Sequence, residues 1–243
     1  GVSNVQSIEF SGTGKWFQFG QAPAPGTPWP QFDVSAYTAS INYQTPAARV
    51  QMTRLQTVEP GRVRPTPVEQ KPDQYVSGMT AWNLAVPAGS APGTAPAPVP
   101  QAPATVEERT MEIWATPHGF LKAAAANNAT STAAGTGNEV AFTANGHKYV
   151  GTINAQNQVE RVQTWIDNPI MGDTLVQTTY SDYKDFGGVM FPGKIARTQG
   201  GHPVLDLTVT SAKLNPAVDI PVPQAATVAL PPVTVTVENL APG

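Results

Sequence analysis

YSDYKDFGGVMFPGKIARTQGGHPVLDLTVTSAKLNPAVDIPVP, residues 180–223, decides the fold class. It reads as a strand ending in aromatic and acidic residues, a Gly187-Gly188 turn, a second strand broken by Pro192, a Gly200-Gly201 turn and a third strand. In that third strand Leu205, Leu207 and Val209 share one face while Asp206, Thr208 and Thr210 share the other, because side chains alternate along a strand. One face is core and the other is wet, the pattern of an antiparallel meander.

The neighbouring sequence repeats this grammar. NEVAFTA and HKYVGTIN flank Asn145-Gly146, a pair that tolerates the positive φ of a tight hairpin turn. QVERVQTWIDN and DTLVQTTYSDY extend the alternation toward Tyr180. Upstream, SIEFSGTGKWFQF predicts a hairpin turning at Gly12 and Gly14, and YTASINYQTPAARVQMTRLQTV predicts two further strands joined near Pro46. Trp29, between Pro28 and Pro30, reads as a plug on the sheet. Residues 87–104 hold six prolines and no charge, which predicts a low-complexity loop or flap. One helix stands out near residues 116–128: Thr116 can cap it, Pro117 suits its first position, Ala123 to Ala126 favour it, and Asn127 or Asn128 can close it. Phe120, Leu121 and Ala124 give it a narrow apolar stripe to lay on a sheet.

The fold class is therefore mainly β: a large curved antiparallel sheet, a half-barrel, wrapped around one main helix. Residues 1–223 form this domain, and residues 224–243, with Val233, Val235 and Val237 alternating with threonines, form a connector strand toward a following domain or partner.

Composition narrows the function classes. The 243 residues carry 14 Lys and Arg against 17 Asp and Glu, a net charge of −3, and the basic residues are scattered apart from Arg62, Arg64 and Lys71. This argues against nucleic acid as a partner. No apolar run approaches the ~18–20 residues of a membrane helix. The absence of cysteine removes thiolate metal sites and thiol nucleophiles together.

Candidate chemistry is sparse. His118, His147 and His202 fall in no metal-binding spacing. Asp182, Asp185 and Asp206 flank turns and read as partners of turn amides or of Lys184 and Lys194. There is no G-x-S-x-G, and the glycines come as turn pairs, not as a phosphate loop. No catalytic or metal-binding residue is assigned, and no cofactor. The aromatic residues Trp16, Phe19, Trp82, Trp114, Phe120, Trp165 and Phe191 are candidates to line the concave side of the sheet around an apolar ligand, and the same residues can equally fill the core.

Two resemblances follow from these residues. The 180–223 segment is similar to the terminal strands of periplasmic lipoprotein-carrier-like domains, in which a curved antiparallel sheet wraps a helix. IEFSGTGKWFQFGQ, PWPQFDVSAYTASINYQTPAARVQMTR and WATPHGFLKAA together resemble the region preceding the catalytic domain in a group of bacterial exported metallo-β-lactamase-fold hydrolases. That resemblance implies a non-catalytic accessory domain, periplasmic or secreted, partnered by a following catalytic domain or an identical subunit. Zinc would belong to the following domain alone, since no histidine here matches the family's H-x-H-x-D-H ligands. The alternatives are a carrier or binding module for an apolar ligand held in the concave sheet, and a structural subunit of an extracellular assembly.

Overall fold

The computed structural model describes residues 2–22, 24–58, 66–87, 89–168 and 172–227. The chain lays down β1 (Ser7–Phe17), β2 (Gln31–Asn42), β3 (Ala47–Gln56), β4 (Asp73–Ser77), β5 (Thr80–Ala85) and β6 (Ala97–Pro100) as a meander running outward to one edge. Two helices, α1 (Pro103–Ala115) and α2 (Pro117–Ala126), then carry it to the opposite edge. From there β7 (Thr130–Ala134), β8 (Gly137–Ala144), β9 (His147–Ile153), β10 (Val159–Asn168) and β11 (Gly172–Ser181) meander back toward the middle. A two-stranded ribbon of β12 (Lys184–Asp185) and β13 (Met190–Phe191) interrupts the return before β14 (Lys194–Gln199) and β15 (His202–Leu214) complete it. β15 pairs with β1, so the first and last strands of the described residues lie side by side at the centre of a sheet that has thirteen strands among those residues.

The alternation read in the sequence is the alternation of burial. Leu205, Leu207 and Val209 are buried on the concave face, whereas Asp206, Thr208 and Thr210 are exposed on the convex one. Asn145 and Gly146 both take positive φ in the β8–β9 turn, as do Gly200 and Gly201 between β14 and β15. The expected opening hairpin is instead one continuous strand. At Gly12 and Gly14 the pairing register of β1 shifts. A Cβ there would stand 2.5 Å from the carbonyl oxygen of Thr208 and 2.0 Å from that of Asp206. These glycines let two strands close up where the sheet bends, a bulge and not a turn.

The Pro/Ala-rich stretch 87–104 also departs from expectation. Its residues 97–100 form β6, the edge strand beside β5, and Pro103 opens α1. Pro98 and Pro100 are tolerated because an edge strand has one side with no ladder to satisfy. The single expected helix is α2, capped as read. Thr116 accepts from the amide of Gly119, and Asn127 closes the other end. α1 is an additional helix that precedes it.

Residues 215–223 stay with the domain and so do the first four of the expected connector. Asn215 Oδ1 accepts from the Gln6 amide at 2.7 Å, Asn42 Nδ2 donates to the Val218 carbonyl at 2.9 Å, and a 3-10 turn at Gln224–Thr227 packs on β5 and β6. The expected strand at 233–237 lies outside the described residues, as do Arg62 and Arg64.

Candidate functional site

Both helices lie against the concave face, in different ways. α2 is seated by apolar contact. Phe120 is fully buried, 5.2 Å from the Phe142 ring, and a Cβ on Gly151 of β9 would stand 2.3 Å from its ring. Glycine at 151 thus lets the ring lie flat on the sheet backbone, and burying it contributes roughly 1.5–3 kcal/mol.

Polar side chains hold α1. Arg109 donates to the carbonyls of Tyr75 and Trp82 at 2.8 and 3.0 Å and to Asn83 Oδ1 at 2.7 Å, anchoring the helix to β4 and β5. On the other side Glu112 pairs with Arg197 of β14, and Glu107 pairs with His147 Nε2 at 2.8 Å. The hydroxyl of Tyr180 donates to the Ala115 carbonyl at 2.5 Å. At the elbow between the helices the Thr116 hydroxyl donates to the Ile113 carbonyl at 2.7 Å. Its single proton is then committed, so Tyr43, 2.8 Å away, donates to it.

Between α1 and the sheet lies a cavity of about 270 Å³. Its mouth is aromatic, with Trp16, Phe17 and Phe19. Val50 and Met52 of β3, Ile166 of β10 and Val176 of β11 line its floor, and Met111 and Ala115 of α1 its roof. Polar groups form a large part of the remaining wall: Glu108 and Glu112 on the helix, and Tyr37, Gln74, Thr164, Thr178, Arg197 and Gln199 on the sheet. Burial works against the charge on Arg197, but Glu112 together with Tyr37 and Tyr180 outweighs it and raises its pKa. Burial, reinforced by Glu112, also raises the pKa of Glu108. Burial pushes the Tyr37 and Tyr180 phenols well above the usual tyrosine range, so both stay neutral.

The seven aromatic candidates separate into four groups. Trp16 and Phe19 line the cavity. Phe120 and Phe191 are fully buried core, Phe191 packing on Phe10 and on the His118 ring. Trp114 borders a separate hollow of about 390 Å³ beside α2, with Tyr43 and Lys122. Trp82 and Trp165 do not line the concave side as expected. The register pairs Trp82 with Tyr75, and Tyr75 with Arg49, on the convex face, and Trp165 falls between the buried Thr164 and Ile166 and points the other way, toward Lys148. Sheet register, one residue in two, decides this, and tryptophan is apolar enough to fit either face.

The histidines have separate surroundings. His147 pairs with Glu107, and His202 stacks at 4.5 Å on Trp29, whose other neighbour is Phe19. His118 is lodged against Phe191, its Nδ1 buried with no hydrogen-bond partner among the described residues, and burial lowers its pKa to about 4. Among the described residues no group of three or more His, Asp or Glu side chains is placed to hold a metal ion. Asp185 accepts from the Gly188 amide at 2.5 Å, and the Asp182 carbonyl accepts from Gly193, both as turn residues. No helix among the described residues is long and apolar enough to cross a membrane. The sequence reading missed Glu112, Arg197 and Arg109, because α1 was not recognised as a helix and nothing local in sequence pairs residues 112 and 197.

Among solved structures the chain is similar to a LolA superfamily protein from Nitrosomonas europaea, with a TM-score of 0.50 and 13% identity over 90% of this chain and 89% of that one. The open antiparallel sheet with helices on its concave face is thus a lipoprotein-carrier-like fold. No family model matches the sequence, and no curated protein does.

Proposed function

We propose that this chain is a carrier or binding module for an apolar ligand, which occupies the cavity between α1 and the concave sheet. The observation that carries the reading is the uneven seating of the two helices. The cavity of about 270 Å³ beneath α1 is bordered by Trp16, Phe19, Met52, Ile166 and Val176 of the sheet and its edge, whereas the hollow of about 390 Å³ beside α2 is bordered by the helix's own alanines with Tyr43 and Trp114. This volume lies just below the ~300 Å³ at which small-ligand pockets begin, so the ligand is slender, closer to one hydrocarbon chain than to a diacyl lipid. The likeness to the LolA superfamily protein supports the fold on which the reading rests. The implied setting is the periplasm or the cell exterior.

The reading as an accessory domain of a metallo-β-lactamase-fold hydrolase rests on the resemblance of the opening motifs and of the WATPHGFLKAA helix alone. The carrier reading predicts that the purified chain binds N-phenyl-1-naphthylamine with a rise in fluorescence that long-chain ligands reverse. Filling the floor with Val176→Trp is expected to weaken probe binding by more than about tenfold while the far-ultraviolet circular dichroism is unchanged. Probe binding that Val176→Trp leaves unaltered would remove the cavity from consideration.

A further inference from the structure

Resting on the carrier reading, we propose that the ligand is an acidic amphiphile, its hydrocarbon chain in the cavity and its anionic head on Arg54 at the rim. The position of this arginine is the argument. Arg54 lies near the end of β3, opposite Val34 of β2, on the same face as the buried Met52 two residues before it. Its guanidinium carbon stands 3.6 Å from the centroid of the Trp16 ring and 4.9 Å from that of Phe32. Trp16 is itself a wall of the cavity mouth.

Of its five N–H donors, Nε reaches Gln70 Oε1 at 2.9 Å. Among the described residues no carboxylate lies within ion-pair distance of Arg54. The other arginine of the site, Arg197, is neutralised by Glu112. Burial lowers the pKa of Arg54, which agrees with a cation taken partly out of water.

The charges also fix the direction of binding. Glu108 faces the cavity from α1 and Glu112 already holds Arg197, so an anion finds a carboxylate and no spare cation deep inside, while Arg54, with no ion-pair partner among the described residues, waits at the rim among aromatic rings. A planar guanidinium over an indole carries its edge donors in its own plane, the geometry that takes a carboxylate or phosphate by two parallel hydrogen bonds. Head at Arg54 and chain toward Met52 and Ile166 is the arrangement that satisfies both.

The test compares ligands with the same twelve-carbon chain by displacement of N-phenyl-1-naphthylamine from the full chain. Dodecanoate, dodecyl phosphate, dodecanol and dodecylamine are titrated against wild type, Arg54→Gln and Arg54→Lys. Wild type is expected to favour at least one of the two anions over dodecanol by roughly tenfold, and over dodecylamine by more. The stronger of the two anions identifies a carboxylate or a phosphate head. Arg54→Gln is expected to bring the anions level with dodecanol without changing dodecanol affinity, which also shows that the variant folds and keeps its cavity. Arg54→Lys retains the charge and loses the planar fork, and is expected to fall between the two. An equal affinity of wild type for anions and dodecanol, or an anion preference that survives in Arg54→Gln, overturns the proposal and leaves the carrier reading standing. Binding of none of the four ligands overturns both.

Discussion

α1 and α2 leave the same elbow at Thr116, lie on the same concave face and both bury apolar residues there, yet polar bridges to the sheet are concentrated on α1. α2 presents a fully buried Phe120 to a glycine on the sheet, and its neighbours Phe142 and Tyr149 complete a dry contact. α1 also buries Met111, Ile113 and Ala115 in the core, but it is held at its sides by Arg109, Glu112 and Glu107, and a cavity stays open under part of it. Apolar contact is strong, short-ranged and spoiled by any gap, whereas charged side chains several atoms long can span one. Around Phe120 the sheet is sealed by side chains, and beside the cavity under α1 it is bridged by them.

The largest expected departure from this contrast comes from the sealed half. Phe120→Ala is expected to lower the free energy of unfolding by about 3–5 kcal/mol, read from urea denaturation, since no nearby side chain can replace the ring over Gly151. A loss below about 1 kcal/mol would mean that α2 is no better seated than α1.

His118, the second residue of α2, gives a pH signature to the same half. Its pKa is about 4 in the folded protein against an ordinary value near 6.5, so the unfolded chain takes up a proton first as pH falls. The contribution of His118 is therefore complete above about pH 6.5 and declines between about 6.5 and about 4, with a slope of at most ~1.4 kcal/mol per pH unit. Stability measured across this window in wild type and His118→Phe is expected to differ by that slope. Parallel curves would show the imidazole to be better solvated than its surroundings imply.

The bridged half is expected to respond least in global stability. Arg109→Met removes three hydrogen bonds from one side of α1, and part of the loss is returned by water at the exposed end of the helix. We expect about 1–2 kcal/mol in unfolding free energy, with faster amide exchange confined to residues 103–115. Exchange that quickens equally in α2 would show that the two helices open as one unit.

The legibility of these two halves in the sequence differed for the same physical reason. α2 carries its evidence locally: a threonine cap, a proline in the first turn, a run of alanines and an aromatic stripe. β15 does the same through Leu205, Leu207 and Val209. α1 begins in a proline-rich stretch with no side-chain cap, and its Glu112 pairs with Arg197, which is distant in sequence. The glycines of β1 show the limit most plainly. Gly12 and Gly14 carry the composition of a turn, and only the carbonyls of Thr208 and Asp206, from the far end of the chain, make them a bulge. Trp82 and Trp165 illustrate the same limit, because the face a tryptophan takes depends on a register that pairing sets and composition does not.

The adjacency of β1 and β15 has a consequence for biosynthesis. The seam at the middle of the sheet joins Ile8 to Leu214 and Trp16 to Leu205, so it cannot close until the chain through Leu214 has left the ribosome. At ~5–20 residues per second β1 waits on the order of 10–40 seconds for its second neighbour, with one edge satisfied by β2 and the other bare. Pairing so distant in sequence is also slow in its own right. During that interval the open edge of β1 is the place where a nascent chain of this kind is most exposed to mispairing, and where a chaperone that shields single strand edges would have most effect.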